Sequence, residues 1–137
     1  MFDTIITLIG SAIALTGLYL SFFTYRRGKQ LEIFCKYTAK FNEIVTPDEL
    51  LTWDAILAGD CVSESVYTIY ESKMLRYLNL VWEEKHLVRE KLIPGKLWRI
   101  WEPLIENTLR TEFAQNVADR YARHFDDNFL RFVKSIH

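Results

Sequence analysis

The sequence predicts an all-α protein: one N-terminal transmembrane helix followed by a compact cytoplasmic bundle of about five helices. Three observations predict it. Ile5 to Tyr25 holds no charged residue, and a helix crossing the hydrocarbon core needs about 20 such residues. The rest of the 137-residue chain repeats its apolar residues at helical steps of three and four, with no convincing alternating strand. Pro47, Pro94 and Pro103, together with Ser, Thr and Asp at capping positions, divide that remainder into short helices.

The charges around the apolar run decide what kind of segment it is. A cleavable signal peptide carries positive charge before its apolar run and small residues at its cleavage site. Here only Asp3 precedes the run, Arg26, Arg27 and Lys29 follow it, and Tyr25-Arg26-Arg27-Gly28 is no cleavage site. Lys and Arg stay on the cytoplasmic side. The expectation is therefore an inner (plasma) membrane protein with its N-terminus outside. Residues 1–28 form the transmembrane helix and basic flank, and residues 29–137 form a cytoplasmic helical domain. Tyr19, Phe22, Phe23 and Tyr25 cluster at the inner end, where aromatic rings favour the headgroup region.

Within the span, Asp3, Thr7, Gly10, Ala14, Gly17, Ser21 and Thr24 recur at alternating steps of three and four. Small residues on one face let helix backbones approach closely, and a repeat near 3.5 keeps that face on the seam of a left-handed bundle. Thr7, Gly10, Ala14, Gly17, Ser21 and Thr24 are the candidate oligomerisation residues. A plain monomeric anchor is the simpler alternative. In the sharper one the same residues line a pore, with an Asp3 ring at its outer mouth. A homo-oligomer in contact with membrane lipid is expected.

Along the remainder, Gln30–Val45 continues as a helix with Leu31, Phe34, Phe41 and Val45 at helical spacing. Thr46-Pro47-Asp48-Glu49 is a helix start, with Thr46 as cap, Pro47 at the first position and Glu49 closing a capping box; that helix ends near Gly59. Ser63 or Ser65 opens the longest helix of the domain, reaching about Lys91, with Val66, Tyr67, Tyr70, Met74, Tyr77, Leu78, Val81 and Trp82 as its apolar face. Pro94 begins the next unit, which Pro103 is expected to kink or divide. Thr111 opens a helix through Val117 and Tyr121, and Asp126 or Asp127 caps the last one.

Composition bounds the function. Hydrophobic residues make up 50% and aromatic residues 15%, enough to bury a core and to argue against disorder. Of 17 Lys/Arg and 18 Asp/Glu, only Arg26, Arg27, Lys29 and Asp3 precede residue 31. The domain is thus net acidic, which argues against a nucleic-acid duplex as partner. Cys35 and Cys61 lie on the expected reducing side, so no structural disulfide is expected, and Cys35 is expected to be buried rather than lipidated.

No motif names a reaction. Glu83-x-x-His86 has the spacing of a di-iron ligand pair, but the second copy that such a site needs is missing. Glu83, Glu84, Lys85, Arg89 and Glu90 read as a solvated helix face with i,i+4 ion pairs. Arg120, Arg123 and His124 are the candidate ligand-binding residues, for a phosphate or a partner's carboxylate. The plainer reading pairs them with Asp119, Asp126 and Asp127. Without a nucleophile motif or a phosphate-cradling loop, the protein is expected to be non-enzymatic, with no cofactor and no metal.

Asn79-Leu80-Val81-Trp82-Glu83-Glu84, Leu92-Ile93-Pro94 and Leu97-Trp98-Arg99-Ile100-Trp101-Glu102-Pro103 resemble a group of small bacterial single-span membrane proteins with a helical cytoplasmic domain of unknown function. The resemblance implies the same order of parts and supplies no activity or site residues. In layout alone the chain is also similar to compact membrane effectors of prokaryotic antiviral systems. The expected function is self-association through the span, with the cytoplasmic domain binding a protein or small ligand. The alternatives are a triggered pore-forming effector sensing a nucleotide signal through Arg120 and Arg123, and a membrane-tethered enzyme using His86 or His124.

Overall fold

The computed structural model describes the backbone of residues 2–136 and the side chains of residues 13–136. Among the described residues every regular element is helical: α1 (Phe2–Ile44), α2 (Leu50–Leu57), α3 (Glu64–Arg89), α4 (Gly95–Leu109), α5 (Glu112–Arg120) and α6 (Asp127–Ser135). Short 3-10 turns occupy Pro47–Glu49 and Ala122–His124. The chain divides into two units, Met1–Ile33 and Phe34–His137.

In the first unit, residues 13–29 are exposed on every side of the helix. Ile13, Leu15, Leu18 and Tyr19 each leave about two-thirds of their surface open. Tyr19 stacks on Phe23, and the Arg27 guanidinium sits 5.2 Å from the Phe23 ring centre. Lys29 pairs with Glu32 one turn on, at 2.7 Å. Of the expected span, the side chains of residues 5–12 lie outside the described residues. Among the described residues no helix is long and apolar enough to cross a membrane.

In the second unit the capping residues set the boundaries. The Thr46 N–H and hydroxyl both donate to Glu49 Oε2, at 3.0 and 2.9 Å, so the capping box forms around a 3-10 turn that leads into α2. Ser63, Thr111 and Asp126 accept from the backbone N–H three residues on, opening α3, α5 and α6.

Two helices end in the same way. Beyond α2, Gly59 takes φ +87°, and the Gly59 and Asp60 amides donate back to Ile56 and Ala55. Beyond α3, Lys91 takes φ +58°, and the Lys91 and Leu92 amides donate to Val88 and Leu87. Both are Schellman turns, which glycine enters without the steric cost that a side chain brings.

Helix α3 forms the spine. It packs against α4 and α5, and α5 also meets α2, α4 and α6. The best-buried side chains are Met74, Leu78 and Val81 of α3, Ile93, Leu109, Val117 and Val133. The expected apolar face of α3 is the one it buries, with Val66, Tyr67 and Trp82 half-covered at its edges.

Two expectations need correction. Helix α4 runs through Pro103, so the proline does not divide it: proline removes the bond to the Arg99 carbonyl, but Arg99 and Pro103 both lie on the exposed face, where water can take its place. Cys35 is exposed, not buried, because α1 turns Phe34 and Tyr37 toward Trp101 instead.

Candidate functional site

The residues singled out in the sequence are only partly brought together. Arg120 ends α5, whereas Arg123 and His124 lie in the next 3-10 turn, so the two arginines do not share one helix. The expected local pairing with aspartates does not occur. Arg120 Nη1 donates to Glu71 of α3. Asp119 pairs with Lys134 at 3.1 Å, and Asp126 caps α6 while accepting from Trp82 Nε1 at 2.9 Å. Arg123 and His124 are exposed, with His124 against the Tyr121 ring. In α1, Thr7 and Gly10 lie outside the described side chains, and Ala14, Gly17, Ser21 and Thr24 are exposed.

The Glu83–Glu90 stretch is solvated as expected at Glu83, Arg89 and Glu90, but Arg89 pairs with its neighbour Glu90 at 3.6 Å instead of across a helical turn, and Glu84 and Lys85 turn inward. Glu83 is exposed but reaches across to α1, where Lys40 Nζ donates to it at 2.6 Å and the Tyr37 hydroxyl at 3.4 Å. His86 Nδ1 accepts from Arg89 at 2.9 Å. Lys85 places its ammonium over the Phe132 and Trp98 rings, 3.7 and 5.3 Å from their centres, and burial pulls its pKa down. Glu84 is only 6% exposed. The pattern of apolar neighbours on α3 explains this: Tyr77, Leu80, Val81 and Glu84 follow one another at helical steps, so Glu84 continues the inward face.

Glu84 opens onto a cavity that sequence reasoning missed. Between the Tyr37–Phe41 stretch of α1, α2, α3 and α4 lies a space of about 600 Å³, within the range of small-molecule sites (about 300–1,000 Å³). Its walls include five aromatic rings, Tyr37, Phe41, Trp53, Tyr77 and Trp101. Phe41 and Trp53 both meet Tyr77 edge-on, with centres 5.9 Å apart in each pair, and Phe34 stacks on Trp101 from behind at 5.3 Å. The only acidic groups on the wall are Glu84 and Asp54, and no Lys or Arg reaches it.

Among the described residues Glu84 has neither an ion pair nor a hydrogen-bond partner. Among the described residues no wholly sealed side-chain oxygen lacks a partner, and Glu84 lies on the cavity wall. Burial, reinforced by neighbouring Glu83, pushes its pKa up to about 8. Burial likewise raises the Tyr77 hydroxyl, against the Thr108 side chain, which is its hydrogen-bond neighbour.

Among the described residues no cluster of three or more His, Cys, Asp or Glu is placed to hold a metal ion. Comparison with protein families, curated proteins and solved structures finds no match to this chain.

Proposed function

We propose that this is a non-enzymatic, membrane-tethered ligand-binding protein. Residues 5–25 span the membrane, the Thr7–Thr24 stripe joins copies of the chain, and the helical domain takes a small molecule into its aromatic cavity. The observation that carries the reading is the cavity itself: roomy, ring-lined, and furnished with one buried acid that the fold leaves unpartnered. A protein interior is normally close-packed, and a buried polar group normally finds a partner. A site that departs from both rules at one point is the default binding site.

The tether rests on the uncharged stretch and its basic inner flank. Its support is the run of large apolar side chains from Ile13 to Tyr25 left open to the surroundings, more than an isolated helix in water tolerates. The seam rests on the spacing of the small residues along the stripe. The nucleotide-triggered pore has less support, because Arg120 is already engaged with Glu71.

Two measurements test the reading. Small molecules that leave with the full-length protein on purification are released and identified by mass spectrometry. Thr108→Trp, which narrows the cavity, should lower carriage of the species that the wild type carries; equal carriage by both proteins would refute the cavity assignment. Leu at Gly10, Ala14 and Gly17 should abolish crosslinked oligomers in detergent, and oligomers surviving all three changes would refute the seam.

A further inference from the structure

We infer that the cavity selects an organic cation, a protonated amine on an apolar body, with the ammonium held by Glu84 and the surrounding ring faces. This rests on the cavity being a binding site and specifies what enters it.

Three observations converge on that chemistry. The first is the absence of any Lys or Arg from the wall, where the only acidic groups are Glu84 and Asp54. An anionic ligand would find no counter-charge there. The second is the set of rings. The face of an aromatic ring carries partial negative charge, and an ammonium within about 6 Å of a ring centre is attracted to it. Five rings line the wall; the Tyr37 ring already carries the Lys40 ammonium at 4.9 Å, and the other four, with Trp53 and Trp101 among them, surround an apolar volume. The third is the state of Glu84. It is buried, and the Lys40 ammonium, which acts on it only weakly, is already bonded to Glu83 at 2.6 Å. A buried carboxyl without a cation is costly as an ion, and a ligand that brings the cation removes that cost.

The groups facing Glu84 are few. Glu83 and Tyr77 come from its own helix, Tyr37 and Lys40 from α1, and Asp54 from α2. Helix α4 adds no titratable side chain to the wall. Glu83 holds the Glu84 proton on, while Lys40 acts weakly the other way. In the empty cavity at pH 7 Glu84 is therefore mostly a neutral acid. Entry of the ammonium drives its proton out to the buffer: the carboxyl O–H bond breaks, the carboxylate pairs with the ammonium, and the cavity contents stay neutral overall. Affinity for an amine should consequently rise with pH, by roughly tenfold per unit below the Glu84 pKa, and level off above about 8.

The test uses the full-length protein in zwitterionic lipid nanodiscs, with empty discs as blank, and isothermal titration calorimetry. The probes are 4-phenylbutylamine and its neutral analogue 4-phenylbutan-1-ol, at pH 6, 7 and 8 in two buffers of different ionisation enthalpy. The wild type should bind the amine at least tenfold more tightly than the alcohol at pH 8 and release most of a proton at pH 7. Glu84→Gln should abolish both the preference and the release. If amine and alcohol bind the wild type equally, or the amine releases no proton, the cation selectivity is refuted and the cavity stands. If neither probe binds, the binding role of the cavity falls with it. The wild-type amine-to-alcohol ratio decides the matter even if the variant fails to fold.

Discussion

The two halves of α3 treat the same residue in opposite ways. Glu71 and Glu84 lie on one helix and are 8% and 6% exposed. Glu71 is met by Arg120 from α5, and two residues on Lys73 joins Glu49 at 2.8 Å and the Ile44 carbonyl at 2.8 Å. These charges bind elements together, as Glu83 also does farther along through Lys40. In the second half Glu84 faces open volume and Lys85 rests on ring faces. Burial alone therefore does not mark a functional acid; burial without a partner beside a cavity does.

The largest effect should come from breaking the paired half. Arg120→Met leaves the Glu71 carboxylate buried without its counter-charge, and the melting temperature should fall by about 10 °C. Adding Glu71→Leu should restore most of that loss, because the unpaired charge is then gone. A double variant no better than Arg120→Met would show that the pair is not what holds α3 to α5.

Glu84→Gln should act in the opposite direction. The folded-state pKa of about 8 lies above the ordinary 4.5, so between those values the folded protein holds a proton that the unfolded chain has lost. Stability contributed by Glu84 then falls as pH rises from 4.5 to about 8. The glutamine variant should lose that slope and unfold at higher urea concentration than the wild type at pH 8. An unchanged slope would erase the distinction between the two glutamates.

Lys73→Met is the next test. The Lys73 ammonium, with the Thr46 N–H and hydroxyl, holds Glu49 down to about 2. That network contributes stability above the ordinary carboxylate pKa and loses it as pH falls toward 2. Removing the lysine should lower the melting temperature by about 5 °C at pH 7 and shrink that acid dependence. A wild-type acid profile in the variant would dissociate Lys73 from it.

The smallest effect belongs to the end of α3. Lys91 occupies a left-handed conformation at φ +58°, where Lys91→Gly should stabilise by about 0.5–1 kcal/mol in the same unfolding measurement. A loss of stability would mean that the lysine side chain contributes more than its backbone costs.

What could be read from the sequence was local. Thr46 with Glu49, Ser63, Thr111 and Asp126 are capping signals because a cap and its amide lie within three residues, and each opens a helix where expected. The inward face of α3 follows from helical spacing as far as Val81. Glu84 was misread as solvated because a charged residue at an inward step carries no signal for burial; only the packing around it decides. Arg120 and Glu71 stand 49 residues apart, so no spacing rule joins them. The cavity had no local signature either, since its walls come from separate helices and its rings read individually as core.

Phe34, Tyr37 and Phe41 are part of the domain's aromatic packing, though they sit on α1. This fixes where the protein can be cut. A fragment beginning at Thr46, the first obvious break between helices, would discard one wall of the cavity together with the Ile44 carbonyl that Lys73 grips. Deletion genetics designed around helix ends would then report a ruined domain as though the lost segment were only a membrane leader.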